Sequence, residues 1–441
     1  MTDSFQGTSG ENALNELLPP LTQNQAAVEA ARCLMCFDAP CTHACPTHID
    51  IPKFIKKIAT QNQRGSARTI LESNLLGATC ARVCPVQELC EGACVLGAEH
   101  KPIAIGRLQR HAMDFAYKNG TEFFRPAAAT GKKVAIIGAG PAGLSCAGEL
   151  AKRGHAVTLF EKRDFAGGLS TYGIIGLREP VEVALAEVAM ITKLGVKVET
   201  GMELGTSLSL ADLQANFGAV FLSVGLGVTT TLGIPGEEFI LDGLDYIEQS
   251  KLNPTKLVIG RNVVVIGAGN TAIDCATIAK RMGADRVTMV YRRSEKEMSA
   301  YAHEYQFIKH EGVHFSFLTQ PVRVLAENGR VKSLECVRIN LGPADASGRP
   351  SPQSVPNSEF LLATDQIVKA TGQEKPSLAS LLKLKTEKGF IQVSPNFETS
   401  LPGVYAGGDC IRARGAASTV MAVQDGKLSA RSIHERLVAH G

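Results

Sequence analysis

Eight of the twelve cysteines fall between Cys33 and Cys94. Cys33, Cys36, Cys41 and Cys45 form one run and Cys80, Cys84, Cys90 and Cys94 a second, with two to five residues between neighbours. Such spacing places thiolates around a metal centre without long loops, and thiolate ligands suit zinc or iron–sulfur clusters. Zinc fingers usually pair their ligands at wider gaps. Here Cys45 and Cys84 are each followed by proline, as in bacterial ferredoxin runs whose last cysteine serves the other cluster. Two [4Fe–4S] clusters need eight ligands, and eight cysteines are present. Structural zinc is the alternative, and it carries no electrons.

A second set of residues points to dinucleotides. VAIIGAGPAGLSCAGELAKRGHAVTLFEK reads as strand, Gly-rich turn, helix and second strand, and NVVVIGAGNTAIDCATIAKRMGADRVTMVYRR repeats that order. In the first unit Gly138 permits the tight turn, Gly140 lets the backbone approach a pyrophosphate, and Gly143 permits close helix packing, with Pro141 and Ala142 between them. In the second unit the same places hold Gly267, Gly269 and Ala272, with Asn270 and Thr271 opening the helix. Each helix N-terminus then offers unpaired N–H groups and positive dipole to phosphates. Glu161 ends the second strand of the first unit, placed to accept ribose hydroxyls. The equivalent place in the second unit is Tyr291, followed by Arg292 and Arg293. Two guanidiniums there would pair with a 2′-phosphate, which favours NADP over NAD; ordinary surface charge is the alternative. Cys146 and Cys275, in the helices after the turns, read as small buried apolar residues rather than a redox pair.

The elements that must position these residues follow from pattern and composition. The 441 residues carry 46 basic and 43 acidic side chains, a net charge of +3, which suggests no nucleic-acid surface. Hydrophobic residues make up 44%, enough for substantial cores, and with no tryptophan none can stack a ligand. No basic-then-apolar leader and no 18-residue apolar run is present, so the expectation is a soluble, cytoplasmic chain without a membrane span. A reducing compartment would keep the thiols available for metal. Residues 1–20 read as a flexible N-terminus and 21–128 as a helical metal domain, with two amphipathic pieces broken near Gly65. Residues 123–133 read as a linker, and PADASGRPSPQSVPN as a surface loop between strands. The expected class is α/β: a helical two-cluster domain followed by tandem Rossmann-like domains.

CLMCFDAPCTHACPTHIDIPKFI, LGATCARVCPVQELCEGACVLG and IAIGRLQR resemble the N-terminal iron–sulfur region of dihydropyrimidine dehydrogenases. GAGPAG, GGLSTYGI, GAGNTA, YRR and YAGGD resemble the flavin and nicotinamide domains of the same family, so the likeness runs over roughly residues 28–437. The small subunit of glutamate synthase shares the plan but lacks the segment seen here as Val86–Leu89. In length the chain is similar to the NAD(P)H-oxidising subunit of the bacterial two-subunit enzyme.

That resemblance implies a ligand set other than eight cysteines. One cluster would be held by Cys33, Cys36, Cys41 and Cys94, the other by Cys45, Cys84, Cys90 and Gln109, leaving Cys80 out. It implies FAD in the first unit, with Gly168 and Leu169 of the Gly167–Leu169 loop near the adenosine end, Arg178 near the flavin, and Gly408, Asp409 and Thr419 closing the site. The flavin domain would be discontinuous, 129–228 and 371–441, around an NAD(P) domain at 229–370. It implies electrons passing from NAD(P)H through FAD and two clusters to an FMN-containing partner subunit that interconverts uracil or thymine with 5,6-dihydropyrimidines, in a hetero-oligomer. Hydride transfer needs no acid or base, so no catalytic side chain is expected. The same module serving glutamate synthase or another ferredoxin-linked acceptor is the alternative. A non-enzymatic assembly protein, from another class, would be colourless and inactive with NAD(P)H.

Overall fold

The computed structural model describes residues 15–344, 348–412 and 417–439, and residues 1–14 of the expected flexible N-terminus lie outside that range. The chain divides into two compact units. Of the described residues, one comprises those within 18–171, 178–227 and 375–439, and the other those within 15–17, 172–177 and 228–374.

The first unit begins with six helices: α1 (Gln23–Ala31), α2 (Pro40–Ala44), α3 (Ile51–Ala59), α4 (Gln63–Ser73), α5 (Gly77–Val83) and α6 (Ile105–Lys118). α1 starts where Thr22 and Gln25 form a reciprocal capping box, and Asp50 caps α3 by accepting the Lys53 N–H. Ile51, Phe54, Ile55 and Ile58 of α3 are buried at helical spacing against Ile105, Leu108, Ala112 and Met113 of α6. The break between α3 and α4 falls at 60–62, not at Gly65. Asn62 caps α4 by accepting the Gly65 N–H at 2.9 Å, so that glycine lies inside the first helical turn.

Next come β1 (Lys133–Ile137), α7 (Pro141–Lys152), β2 (Ala156–Phe160), α8 (Leu169–Tyr172), α9 (Val181–Thr192), β3 (Lys197–Glu199), α10 (Leu210–Asn216) and β4 (Ala219–Leu222). The residues before β1 are pinned rather than a free linker: Ala127 N–H donates to Lys152 O and Thr130 N–H to Gly154 O.

The second unit supplies β5 (Leu241–Asp242), α11 (Gly243–Leu252), β6 (Asn262–Ile266), α12 (Asn270–Arg281), β7 (Arg286–Val290), α13 (Ala302–His310) and β8 (His314–Ser316). β9 (Thr319–Glu327), β10 (Arg330–Ala344), β11 (Pro350–Ser354) and β12 (Phe360–Ala363) form an antiparallel sheet, and β13 (Gln366–Lys369) follows. Much of the expected surface loop is therefore strand: β10 and β11 pair through Ile339–Ser354, and residues 345–347 lie outside the described range. The chain then returns to the first unit with α14 (Leu378–Leu381), β14 (Thr386–Glu387), β15 (Phe390–Ile391), β16 (Val404–Ala406) and α15 (Thr419–Ala439).

Each unit has a five-stranded parallel sheet, β16-β4-β1-β2-β3 in one and β5-β13-β6-β7-β8 in the other. Parallel strands joined by helices put ligands outside the strands' carboxyl ends, at the turn after the central strand. That strand is β1 in one sheet and β6 in the other. Helix α15 crosses α7 so closely that a Cβ on Gly426 would lie 2.1 Å from Ala142 O, a contact that only a residue without a side chain allows.

Candidate functional site

Cys45 and Cys84 are the C-caps of α2 and α5, both extended, with ψ of 117° and 137°. The proline after each disfavours helical backbone at the residue before it, so both helices stop there and the thiols turn out of the helical path. Met35, between Cys33 and Cys36, takes a φ of 53°, and His48, three residues beyond Cys45, a φ of 54°. These left-handed residues curl the ligand loops tightly.

The thiols gather in two groups. Cys33, Cys36, Cys41 and Cys94 line a single hollow together with Leu34, Ile51, Ile55, Val95 and Ile105. Burial pushes the Cys41 thiol up to about 11, with Cys33 and Cys94 as charged neighbours adding to the shift. A thiolate set in such surroundings needs a cation to stabilise it. Among the described residues no three His, Cys, Asp or Glu side chains converge closely enough for a single metal ion.

Cys84 is held well above the usual thiol range, first by a hydrogen bond with Cys80 and then by burial, with Cys90 and Cys45 also close. Gln109 is the polar residue on the apolar face of α6, 8% exposed, and its Nε2 donates to Gly77 O at 2.7 Å. That bond leaves the amide oxygen as the group with ligating capacity. Cys80 is 2% exposed within this second group.

The first turn of α5 also meets two buried acids. Glu187 Oε1 accepts the Ala78 and Thr79 N–H groups at 2.7 and 3.2 Å. Thr79 Oγ1 lies 2.5 Å from both Glu179 Oε1 and Glu187 Oε2. A hydroxyl has one proton, so it can donate to only one carboxylate and must accept from a protonated partner on the other side. Burial, reinforced by the Glu179 charge, pushes the Glu187 carboxyl up to about 8. Burial and the nearby Glu187 charge hold the Tyr117 hydroxyl well above its usual range. Sequence reasoning missed the trio, because Thr79 is 100 and 108 residues from its two acids and no local motif links them.

In the first dinucleotide unit the expected residues do come together. Gly138 has a φ of 97° and would drive a Cβ to 2.5 Å from Ser223 O, and a Cβ on Gly143 would lie 2.0 Å from Gly138 O. A Cβ on Gly140, in contrast, meets nothing nearer than 3.9 Å. Pro141 opens α7 at its first turn. Glu161 is 6% exposed, its carboxylate oriented by the Ala139 N–H at 2.8 Å and the Arg163 N–H at 3.0 Å. Gly167 N–H donates to Ala139 O, and Gly168 lies against Gly140. Leu169 is 42% exposed at the start of α8, and Arg178 is partly buried before α9. Gly408, with a φ of 82°, packs on Ala142, and Asp409 next to it is pushed upward by burial and drawn back by Arg412. Thr419 begins α15, and residues 413–416 just before it lie outside the described range. Asp425, which no sequence pattern singled out, accepts the Gly408 N–H at 3.1 Å and pairs with Arg412.

The second unit repeats the turn. Gly267 N–H donates to Val290 O, and a Cβ there would be 2.3 Å from Ala370 O. Gly269 precedes α12, Asn270 Oδ1 accepts the Tyr301 N–H at 3.1 Å, and Thr271 is partly buried beside it. The two arginines part company. Arg292 is exposed at the end of β7, whereas Arg293 is 3% exposed and its Nε donates to Pro350 O at 2.8 Å. Both lie in the bend that follows β7, where one side chain faces solvent and the other is buried, so the expected pair of guanidiniums does not present one joint site.

A thiol-lined helical module joined to two parallel-sheet dinucleotide folds defines an iron–sulfur flavoprotein oxidoreductase. Residues 10–121 match the family model for dihydropyrimidine dehydrogenase domain II, 4Fe-4S cluster, and residues 132–426 that for pyridine nucleotide-disulphide oxidoreductases. The NAD-dependent dihydropyrimidine dehydrogenase subunit PreT of Escherichia coli (strain K12) is 36% identical, over 97% of this chain and 98% of that one. The glutamate synthase [NADPH] small chain of the same organism is 34% identical, over 95% and 93%. The NADP(+)-dependent formate dehydrogenase subunit beta of Moorella thermoacetica is 38% identical over 90% of this chain, which spans 60% of that subunit. Mycobacterium tuberculosis FprA in complex with NADPH aligns at a TM-score of 0.57 and 18% identity, over 70% of this chain and 85% of that one, a likeness of fold alone. The chain belongs to the pyridine nucleotide-disulphide oxidoreductases that carry a dihydropyrimidine dehydrogenase-type 4Fe-4S domain. It is an NAD(P)H-dependent oxidoreductase. Among the described residues no helix is long and apolar enough to cross a membrane.

Proposed function

We propose that the chain is the electron-input subunit of a cytoplasmic, NAD(P)-dependent dihydropyrimidine dehydrogenase. The observation that carries this reading is that the Gly138–Gly143 turn and both thiol groups lie within one compact unit. Cys33, Cys36, Cys41 and Cys94 would hold one cluster, and Cys45, Cys84, Cys90 and Gln109 the other. Gly138, Gly140, Pro141, Ala142 and Gly143 would cradle the FAD pyrophosphate at the start of α7, and Glu161 would accept its ribose hydroxyls. Asp425 holds Gly408 where the backbone closes over Ala142, beside Asp409. Gly267, Gly269, Asn270 and Thr271 would receive the nicotinamide coenzyme, and the exposed Arg292 favours NADPH by pairing with its 2′-phosphate. When bound, the nicotinamide supplies a hydride, the flavin converts two electrons to single ones, and the clusters conduct them.

The destination in this reading is an FMN-containing partner subunit in a hetero-oligomer, where uracil or thymine is reduced to the 5,6-dihydropyrimidine. The likeness to the PreT subunit over nearly the full length of both chains supports it. A second reading, the same module feeding another acceptor, is favoured by the 38% identity to a formate dehydrogenase subunit and by the glutamate synthase small chain. Anaerobic co-expression with an FMN-containing partner decides between them. Uracil-dependent NADPH oxidation that appears only when the partner is added supports the first reading. Dye reduction by NADPH with no pyrimidine turnover in the reconstituted pair would leave the second.

A further inference from the structure

The close crossing at Gly426 determines where the next residue of α15 points. Lys427 is partly buried, and its Nζ donates to Thr47 O at 3.2 Å and Ser73 O at 3.0 Å. Thr47 is fully buried, and its hydroxyl lies 3.4 Å from Cys45 Sγ. The ammonium therefore reaches the loop that carries one cysteine of the second thiol group, from a helix whose first turn belongs to the flavin side of the same unit.

Lys427 has no carboxylate partner among the described residues. The acid facing it from α7, Glu149, is already bridged by Lys152 and Arg153, each at 2.8 Å. Burial lowers the Lys427 pKa, with Lys152 and Arg153 adding to that and Glu149 and Cys45 opposing it. Two carbonyl dipoles are a meagre replacement for the water that a partly buried cation gives up, and a counter-charge nearby would offset that loss. The thiol on this side is that of Cys45, a ligand in the assignment proposed above.

We infer that Lys427 is a positioning charge for the cluster held by Cys45, Cys84, Cys90 and Gln109, an ammonium that makes arrival of an electron there more favourable. A fixed positive charge beside a thiolate-ligated cluster stabilises the reduced, more negative state. Its removal shifts the potential of that cluster downward, while the cluster of Cys33, Cys36, Cys41 and Cys94 is much less affected.

This inference rests on the proposed ligand assignment, and the test separates the two. Lys427→Gln and Lys427→Arg are purified anaerobically as holoprotein, assayed for iron and sulfide, and titrated reductively with redox mediators while electron paramagnetic resonance follows each cluster. The expected result is full iron content in both variants, a lower midpoint for one cluster in Lys427→Gln, and a near wild-type midpoint in Lys427→Arg. An unmoved midpoint in Lys427→Gln, with both clusters present, would overturn the inference alone. Loss of a cluster in Lys427→Gln would make the side chain a structural clasp and overturn it as well. Absence of both clusters from the wild-type protein would overturn the ligand assignment and the inference together.

Discussion

The Gln109 side-chain amide donates to the Gly77 carbonyl at 2.7 Å, which fixes its orientation on the otherwise apolar face of α6. Gln109→Ala is expected to change the paramagnetic spectrum of one cluster and leave the other intact. Cys80→Ala should preserve both spectra and the iron content. Loss of a cluster in Cys80→Ala with no change in Gln109→Ala would reverse the ligand assignment.

Gly140 has φ −75° and ψ −177°, backbone any residue adopts, and its added Cβ has no neighbour nearer than 3.9 Å. Gly140→Ala should therefore fold normally yet lose flavin, because the methyl projects where a pyrophosphate must approach. We expect at least tenfold weaker flavin binding, about 1.4 kcal/mol, read as flavin content after gel filtration. Gly143→Ala, which drives a Cβ onto Gly138 O, should instead lower the yield of folded protein.

Arg292 and Arg293 should give different phenotypes. Losing a charged hydrogen bond to phosphate costs about 1.5–3 kcal/mol, so Arg292→Ala should raise the KM for NADPH by about tenfold or more while the KM for NADH stays put. Arg293→Ala removes the donor to Pro350 O and should lower the melting temperature without altering the coenzyme ratio. Equal loss of NADPH and NADH use in Arg292→Ala would count against a 2′-phosphate contact.

Glu187 ties stability to pH. Its folded-state pKa, about 8, is above its ordinary value of 4.5 because burial disfavours the charged form. The folded state therefore binds the extra proton. Its contribution to stability is full below pH 4.5 and is lost as pH rises toward 8. Glu187→Gln, which keeps a neutral hydrogen-bonding group there, should flatten that decline. Melting temperatures of both proteins between pH 5 and pH 8.5 check it, and parallel curves would refute the shared-proton arrangement around Thr79.

Much of this site was legible because its chemistry is local in sequence. The Gly138–Gly143 and Gly267–Gly269 turns, and the carboxylate at Glu161, lie within single strand–turn–helix segments whose periodicity reveals them. The cysteine runs gave away a metal module, but not which thiols share a centre. Cys94 joins Cys33, Cys36 and Cys41 across the length of the helical domain, and only the family resemblance pointed to Gln109 over Cys80. The Arg292–Arg293 pair misled because adjacent residues look equivalent in sequence, while the bend after β7 exposes one and buries the other. Asp425, Lys427 and the Glu179–Thr79–Glu187 trio escaped notice for a different reason. Their partners are tens to hundreds of residues away, and a lone polar residue in a helix carries no mark of what it will meet.

The central claim is that electrons from NAD(P)H pass through this single chain onto both of its clusters. It is tested most directly by titrating the anaerobically purified holoprotein, without partner, with NADPH and following flavin absorbance together with the paramagnetic signals of reduced clusters. The account predicts flavin bleaching accompanied by reduced-cluster signals that grow with added NADPH, one of them altered by Gln109→Ala. Flavin bleaching with both clusters left oxidised, while dithionite reduces them readily, would contradict it.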